Sequence, residues 1–405
     1  MTRHKSKKSR NKHLHPSDFR SVVQLATHAT VGVVDIAEGV HQSVLNTLGI
    51  PGGIVGMLYR GIRGVTQLVG QGLDTALARL QPLLEPYPSG TRQREAVLAA
   101  LNGVMGDHLA ATQNTLAIPM RLLHRDEALN WEVLPPGFEP TGKILLLIHG
   151  LCMNDLQWRN AQGFGHGEFL AGSLGYTPVY LRYNSGLHIS QNGRQFSAQL
   201  EQLVSHWPVP IEEVSVLAHS MGGLVTRSAI HYASQDGLRW PTLLKSIIFL
   251  GTPHHGAPLE RAGNWFHVLL GKTPYTAPFS KLGKLRSAGI TDLRYGHLVD
   301  EDWHGRDRFH PAPDNRQPVP LPEGVACYAI AAIMTPDRHV VGDVVLGDGL
   351  VPPRSALGQH EDEHWNLTFP EDSQWVAYRM NHMGLLSSPE VALRLQTWLA
   401  VRSPT

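Results

Sequence analysis

The chain has 405 residues, 42% hydrophobic and 17% charged, with a formal net charge of +1; this is enough for one core of roughly 250 residues plus an appendage. No segment gathers 18 apolar residues without interruption by charge, which excludes a membrane-spanning helix. The two cysteines, Cys152 and Cys327, both lie in apolar settings and read as free, packed thiols in a reducing cytoplasm rather than as a disulfide.

The charge is unevenly laid out. Arg3, Lys5, Lys7, Lys8, Arg10, Lys12 and Arg20 face only Asp18 in the first twenty residues, so the tip reads as a solvated tail rather than a lipid or nucleic-acid contact. Pro16, Ser17 and Asp18 interrupt any apolar run behind it, and no secretory signal is expected. Val22, Leu25, Ala29, Val33, Ile36, Val40, Val44 and Leu48 then recur at steps of three and four, predicting a long helix with one apolar face that stops at Gly49–Gly53. A second, glycine-rich helix is predicted from Ile54 to about Leu80, and a third from about Arg92 to Gly106. They are read as packing on the rest of the chain. Their small-residue faces carry the alternative of peripheral membrane contact.

From Pro119 the pattern turns to strands. Trp131–Leu134 and Ile144–Ile148 are expected to open a sheet, Pro178–Tyr183 to continue it, and His149-Gly150-Leu151 to turn the chain so that the Leu151 amide points inward. Val214–Leu217 reads as a buried strand and Gly223–Tyr232 as a helix. Ala218-His219-Ser220-Met221-Gly222-Gly223 lies between them, a reversal that forces Ser220 into a strained conformation and tolerates only small residues two positions to either side. Such a turn presents a hydroxyl nucleophile beside the Met221 amide at a helix N-terminus.

Ser246–Leu250 is the next strand, followed by Gly251-Thr252-Pro253-His254-His255-Gly256. Residues from 257 to about 320 break the alternation and read as a cap over the strand ends, with Trp265, Phe266 and His255 as its substrate-binding wall. A strand near Val325–Ile330 follows. Asp348, on the glycine-flanked loop Gly347-Asp348-Gly349, is the expected carboxylate, with Asp343 its rival. His382, in Asn381-His382-Met383-Gly384, is the expected base among 23 histidines, ahead of His360 and His364, because a terminal amphipathic helix with Val391, Leu393, Leu395 and Trp398 follows it. Strands alternating with helices give an α/β class with a mostly parallel sheet and helices on both faces. No spacing suggests a metal site, and no cofactor is expected.

Taken together, His149-Gly150-Leu151, the Ser220 turn, Gly251–Gly256, Gly347–Pro352 and His382–Leu386 resemble the bacterial lipase and esterase branch of the α/β-hydrolases, including relatives similar to the GPI-inositol deacylases. The resemblance spans roughly residues 130–400. It implies an α/β-hydrolase fold and carboxylic ester hydrolysis through an acyl-enzyme, with Ser220 as nucleophile, His382 as base, Asp348 as its orienting acid, and the Leu151 and Met221 amides as oxyanion hole. Gly384 stands where several secreted lipases carry a calcium-binding carboxylate, so no calcium is carried over.

The chain thus divides into a basic tip (1–16), an N-terminal helical region (17–117) and a hydrolase domain (118–405) with its cap at about 257–320. The expected substrate is a small-molecule or lipid-like ester, met in the cytoplasm or at a membrane surface. An acyltransferase or thioesterase on the same site, and a non-catalytic lipid- or partner-binding protein, are the rival readings.

Overall fold

The computed structural model describes residues 92–135, 137–257, 287–306, 314–336 and 347–400. The basic tip, the first two predicted helices, Trp265, Phe266, most of the expected cap and Asp343 lie outside them. The chain divides at the 91/92 boundary, and every described residue belongs to the second unit.

Helix α1 (Arg92–Ala111) opens that unit, leaving helical geometry at Met105 (φ −144°, ψ 24°). The sequence grouped this helix with the N-terminal region, whereas it lies in the same unit as the sheet. Its buried face, with Leu98, Leu101, Val104 and Leu109, explains why. Strands β1 (Arg121–His124) and β2 (Glu127–Ala128) form a short hairpin. Trp131–Leu134, expected as a strand, forms bends instead. Asn130 captures the Glu132 N–H with its side chain (3.0 Å) and the Val133 N–H with its carbonyl (3.1 Å), a local turn that competes with extension and leaves Val133 72% exposed.

Strand β3 (Lys143–Ile148), helix α2 (His166–Leu174), β4 (Thr177–Arg182), helix α3 (Ile189–His206), β5 (Glu213–His219), helix α4 (Met221–Gln235) and β6 (Leu244–Leu250) follow in alternation. Helix α5 (Ala288–Tyr295), β7 (Ala326–Ile333), β8 (Gln374–Tyr378) and helix α6 (Pro389–Ala400) complete the unit. The eight strands form one sheet in the order β2-β1-β4-β3-β5-β6-β7-β8. Only the β1 pairings are antiparallel.

β3, β5 and β6 are near-continuous apolar runs because helices cover both faces of a parallel sheet. Leu145, Leu147, Leu217, Ile248 and Leu250 pack in one core with Leu170 of α2 and with Val391, Leu395 and Trp398 of α6. Leu393, expected on that apolar face, is 58% exposed. Alternate residues such as Leu146, Val216 and Phe249 point to the opposite face. There Gly223 of α4 lies so close to Phe249 that a Cβ on the glycine would come 2.9 Å from its ring.

The register aligns Ile148 with Ala218, and His219 with Leu250. The loops after β3, β5 and β6 therefore emerge together at the carboxyl edge of the sheet, where open α/β sheets place their binding crevices. Among the described residues no helix is long and apolar enough to cross a membrane.

Candidate active site

Ser220 links β5 to α4 at φ 54°, ψ −125°. This region is sparsely populated for any residue with a Cβ and costs on the order of 1–3 kcal/mol. Surrounding contacts enforce it. The Ser220 N–H donates to Leu250 O (2.9 Å), and the Gly223 N–H donates to Ser220 O (3.0 Å). Gly222 is required because a Cβ there would sit 2.5 Å from Ile148 O. Ser220 is buried, and its Oγ makes no hydrogen bond in this structure.

The loop after β3 abuts the serine, since a Cβ on Gly150 would lie 2.9 Å from Ser220 Cβ. Leu151 follows, then Cys152 in the left-handed region (φ 59°), whose N–H donates to Ser185 Oγ (3.0 Å). Among the described residues the amide N–H groups of Leu151 and Met221 donate to no protein group.

Helix α1 braces this loop, a role the sequence did not reveal. Gly103 lies against Cys152, Asn154 Nδ2 donates to Glu95 O (3.0 Å), and Arg182 at the end of β4 binds Glu95 (2.9 Å) and Asp155 (2.5 and 3.0 Å).

His382 opens a short 3-10 turn (His382–Leu386) after β8. Its Nδ1–H donates to Asp348 Oδ2 (2.6 Å), and its backbone N–H donates to Asp348 O (3.2 Å). The other carboxylate oxygen accepts from the Leu350 and Val351 N–H groups (2.9 and 2.8 Å), which fixes the acid's orientation. Both residues are at most 1% exposed. With Nδ1 committed to Asp348, Nε2 is the nitrogen left for proton exchange. The imidazole packs over Gly251, where a Cβ would come 3.1 Å from His382 Cε1, next to the Leu250 carbonyl that binds Ser220.

Two further histidines hold the base loop, and sequence reasoning missed both. His219 Nε2–H donates to the His382 carbonyl (3.1 Å), with the two rings 4.5 Å apart. His166 Nε2–H donates to the Leu385 carbonyl (2.8 Å). The pairing His219-Ser220 was a usable signal for the first. Nothing local marks the second, which reaches across 219 positions of sequence. Of the expected substrate wall, only His255 lies among the described residues, and its Nε2–H donates to Gly358 O (2.9 Å).

Burial sets the charge state of these histidines. It pushes His149 and His166 down to about 4 and His219 well below the usual imidazole range, in the last case with repulsion from His382 as a further cause. Unfolded imidazoles titrate near 6.5, so between about 4 and 6.5 the unfolded chain binds more protons than the fold. The stabilisation is full above pH 6.5 and is lost as pH falls toward 4. At pH 5 the expected loss is on the order of 2 kcal/mol from each of His149 and His166. Urea midpoints at pH 7.5 and pH 5 measure it, and equal midpoints would contradict it.

The sequence model of the PGAP1-like alpha/beta domain family matches residues 139–317. Among solved structures, the Bacillus licheniformis lipase BlEst2 in mature form is similar at 15% identity and a TM-score of 0.43, over 66% of this chain and 96% of that one. The Pyrococcus furiosus esterase Pf2001 is similar at 16% identity and a TM-score of 0.35, over 64% and 81% respectively. The NocB thioesterase domain, in covalent complex with a fluorophosphonate nocardicin G analogue, is similar at 12% identity and a TM-score of 0.36, over 70% and 98%. No curated protein matches the sequence.

Proposed function

We propose that the chain, whose sheet is mostly parallel and whose residues 139–317 match the PGAP1-like alpha/beta domain family, is a serine carboxylic ester hydrolase of α/β-hydrolase type acting on lipid-like acyl esters through an acyl-enzyme. The observation that carries the reading is the buried Asp348–His382 hydrogen bond, with the imidazole packed over Gly251 next to the Leu250 carbonyl that binds Ser220, a serine held at positive φ between a strand and a helix.

In this reading Ser220 Oγ attacks the ester carbonyl carbon while His382 Nε2 takes its proton. Asp348 holds Nδ1–H and stabilises the imidazolium. The amides of Leu151 and Met221 receive the oxyanion, each contributing on the order of 3 kcal/mol. His382 then returns its proton to the leaving alcohol. Water, activated by the same imidazole, releases the acid and regenerates the hydroxyl. His219 and His166 act as positioning residues by fixing the carbonyls of the base loop. His255 and the aromatic pair Trp265 and Phe266 stay assigned to the substrate wall, and the catalytic unit is taken to begin at Arg92 rather than at residue 118.

A panel of p-nitrophenyl esters of increasing acyl length tests the reaction. The expected result is turnover with a burst of nitrophenol and a clear chain-length preference. No turnover with any ester would contradict it.

A further inference from the structure

Arg227 sits on α4 two turns beyond Ser220 and is only 4% exposed. A guanidinium out of water normally has a carboxylate beside it, because an unpaired buried charge is costly. Among the described residues Arg227 forms no ion pair. Its contacts are Nη2–H to Val319 O and a long Nη1–H to His254 Nδ1 (3.4 Å), and its Nε has no partner. Among the described residues the one carboxylate that contributes attraction, after the Cys327 thiol, is Asp302, whose two oxygens are already taken by the N–H groups of Leu298, Val299 and Gln317. Burial and the neighbouring Arg316 lower Arg227 to about 9, so it stays cationic at neutral pH.

His254 is in the same position. It is 1% exposed, and its Nδ1 accepts from Arg227, so Nε2 carries the hydrogen and is a second buried donor with no acceptor. Both side chains line a cavity of about 180 Å³, several times the roughly 30 Å³ that one water occupies in the liquid. Arg316 and His255 line it too, with Arg316 stacked on Trp365 at 5.0 Å, and among the described residues no Asp or Glu is in its wall. A larger neighbouring cavity of about 520 Å³ shares Arg227, but Glu323 lines it, which disfavours an anion there.

We propose that the smaller cavity binds a small oxyanion, a carboxylate or a phosphate, which supplies the missing counter-charge to Arg227 and accepts from the Arg227, His254 and Arg316 donors. None of Ser220, Asp348 and His382 lines this cavity; of the residues assigned to the ester site only His255 does.

Isothermal titration and thermal unfolding of the full chain, with inorganic phosphate, butyrate and chloride at matched ionic strength, test it. The expected result is saturable binding and a raised Tm with phosphate or butyrate but not chloride, weakened at least tenfold in Arg316→Gln and in Arg227→Met. Arg316 binds Asp314 through Nε and Nη2, and Arg316→Gln serves if Arg227→Met does not fold. Phosphate alone binding assigns a phosphoryl ligand, and butyrate alone a carboxylate. Ser220→Ala should bind as the unmodified chain does, whatever becomes of esterase activity. Equal responses to all three anions, no response to any, or binding unchanged in the folded variants would overturn the proposal.

Discussion

Ester turnover by Ser220→Ala is expected to fall by roughly 10⁴- to 10⁶-fold, the loss seen when a nucleophile is removed and only binding and oxyanion donors remain. The substitution should leave the fold intact. Ser220 Oγ makes no hydrogen bond, so its removal orphans no partner, and deleting a buried unsatisfied hydroxyl is close to neutral for stability. Alanine keeps the one Cβ that the turn already accommodates at φ 54°. Initial rates with the best p-nitrophenyl ester, together with a thermal unfolding curve, check both halves. Turnover within tenfold of the unmodified chain would remove Ser220 from the chemistry.

Asp348→Asn should cost about 10⁴ in turnover with little change in stability. The asparagine oxygen still accepts from the Leu350 and Val351 N–H groups. Its amide nitrogen, however, faces His382 Nδ1, where the carboxylate now accepts a 2.6 Å bond. Two N–H groups cannot face one another, so the imidazole is driven to the tautomer that carries its hydrogen on Nε2 and cannot take the serine proton. Asp343→Asn is the matched comparison and should stay within a few-fold of the unmodified rate. If the two variants lose activity in the opposite order, Asp343 is the acid.

Much of the architecture could be read from periodicity alone. β3, β5 and β6 are apolar runs bounded by turn residues, and they form the centre of the sheet because both of their faces are covered. The Ser220 turn was legible for a related reason, since strand, small residues and helix follow within a few positions. Edge and support elements were not. β1 and β2 are too short to show alternation, and Trp131–Leu134 carries strand-like residues whose outcome is decided by one asparagine capturing two amides.

The helix at Arg92 was placed in the wrong unit because its anchors, Glu95 to Arg182 and Asn154 to Glu95, span 87 and 59 positions. A sequence shows the partners but not the pairing. The same holds for His166 beneath Leu385, and for the Arg227 cavity, whose walls come from segments between 227 and 367.

The account stands on Ser220 being a nucleophile made reactive by His382. The most direct measurement is labelling of the folded chain with a fluorophosphonate, followed by peptide mapping of the adduct. A single stoichiometric adduct on Ser220, lost in His382→Ala, is the predicted result. A folded chain that takes no label, or carries it on another residue, would contradict it.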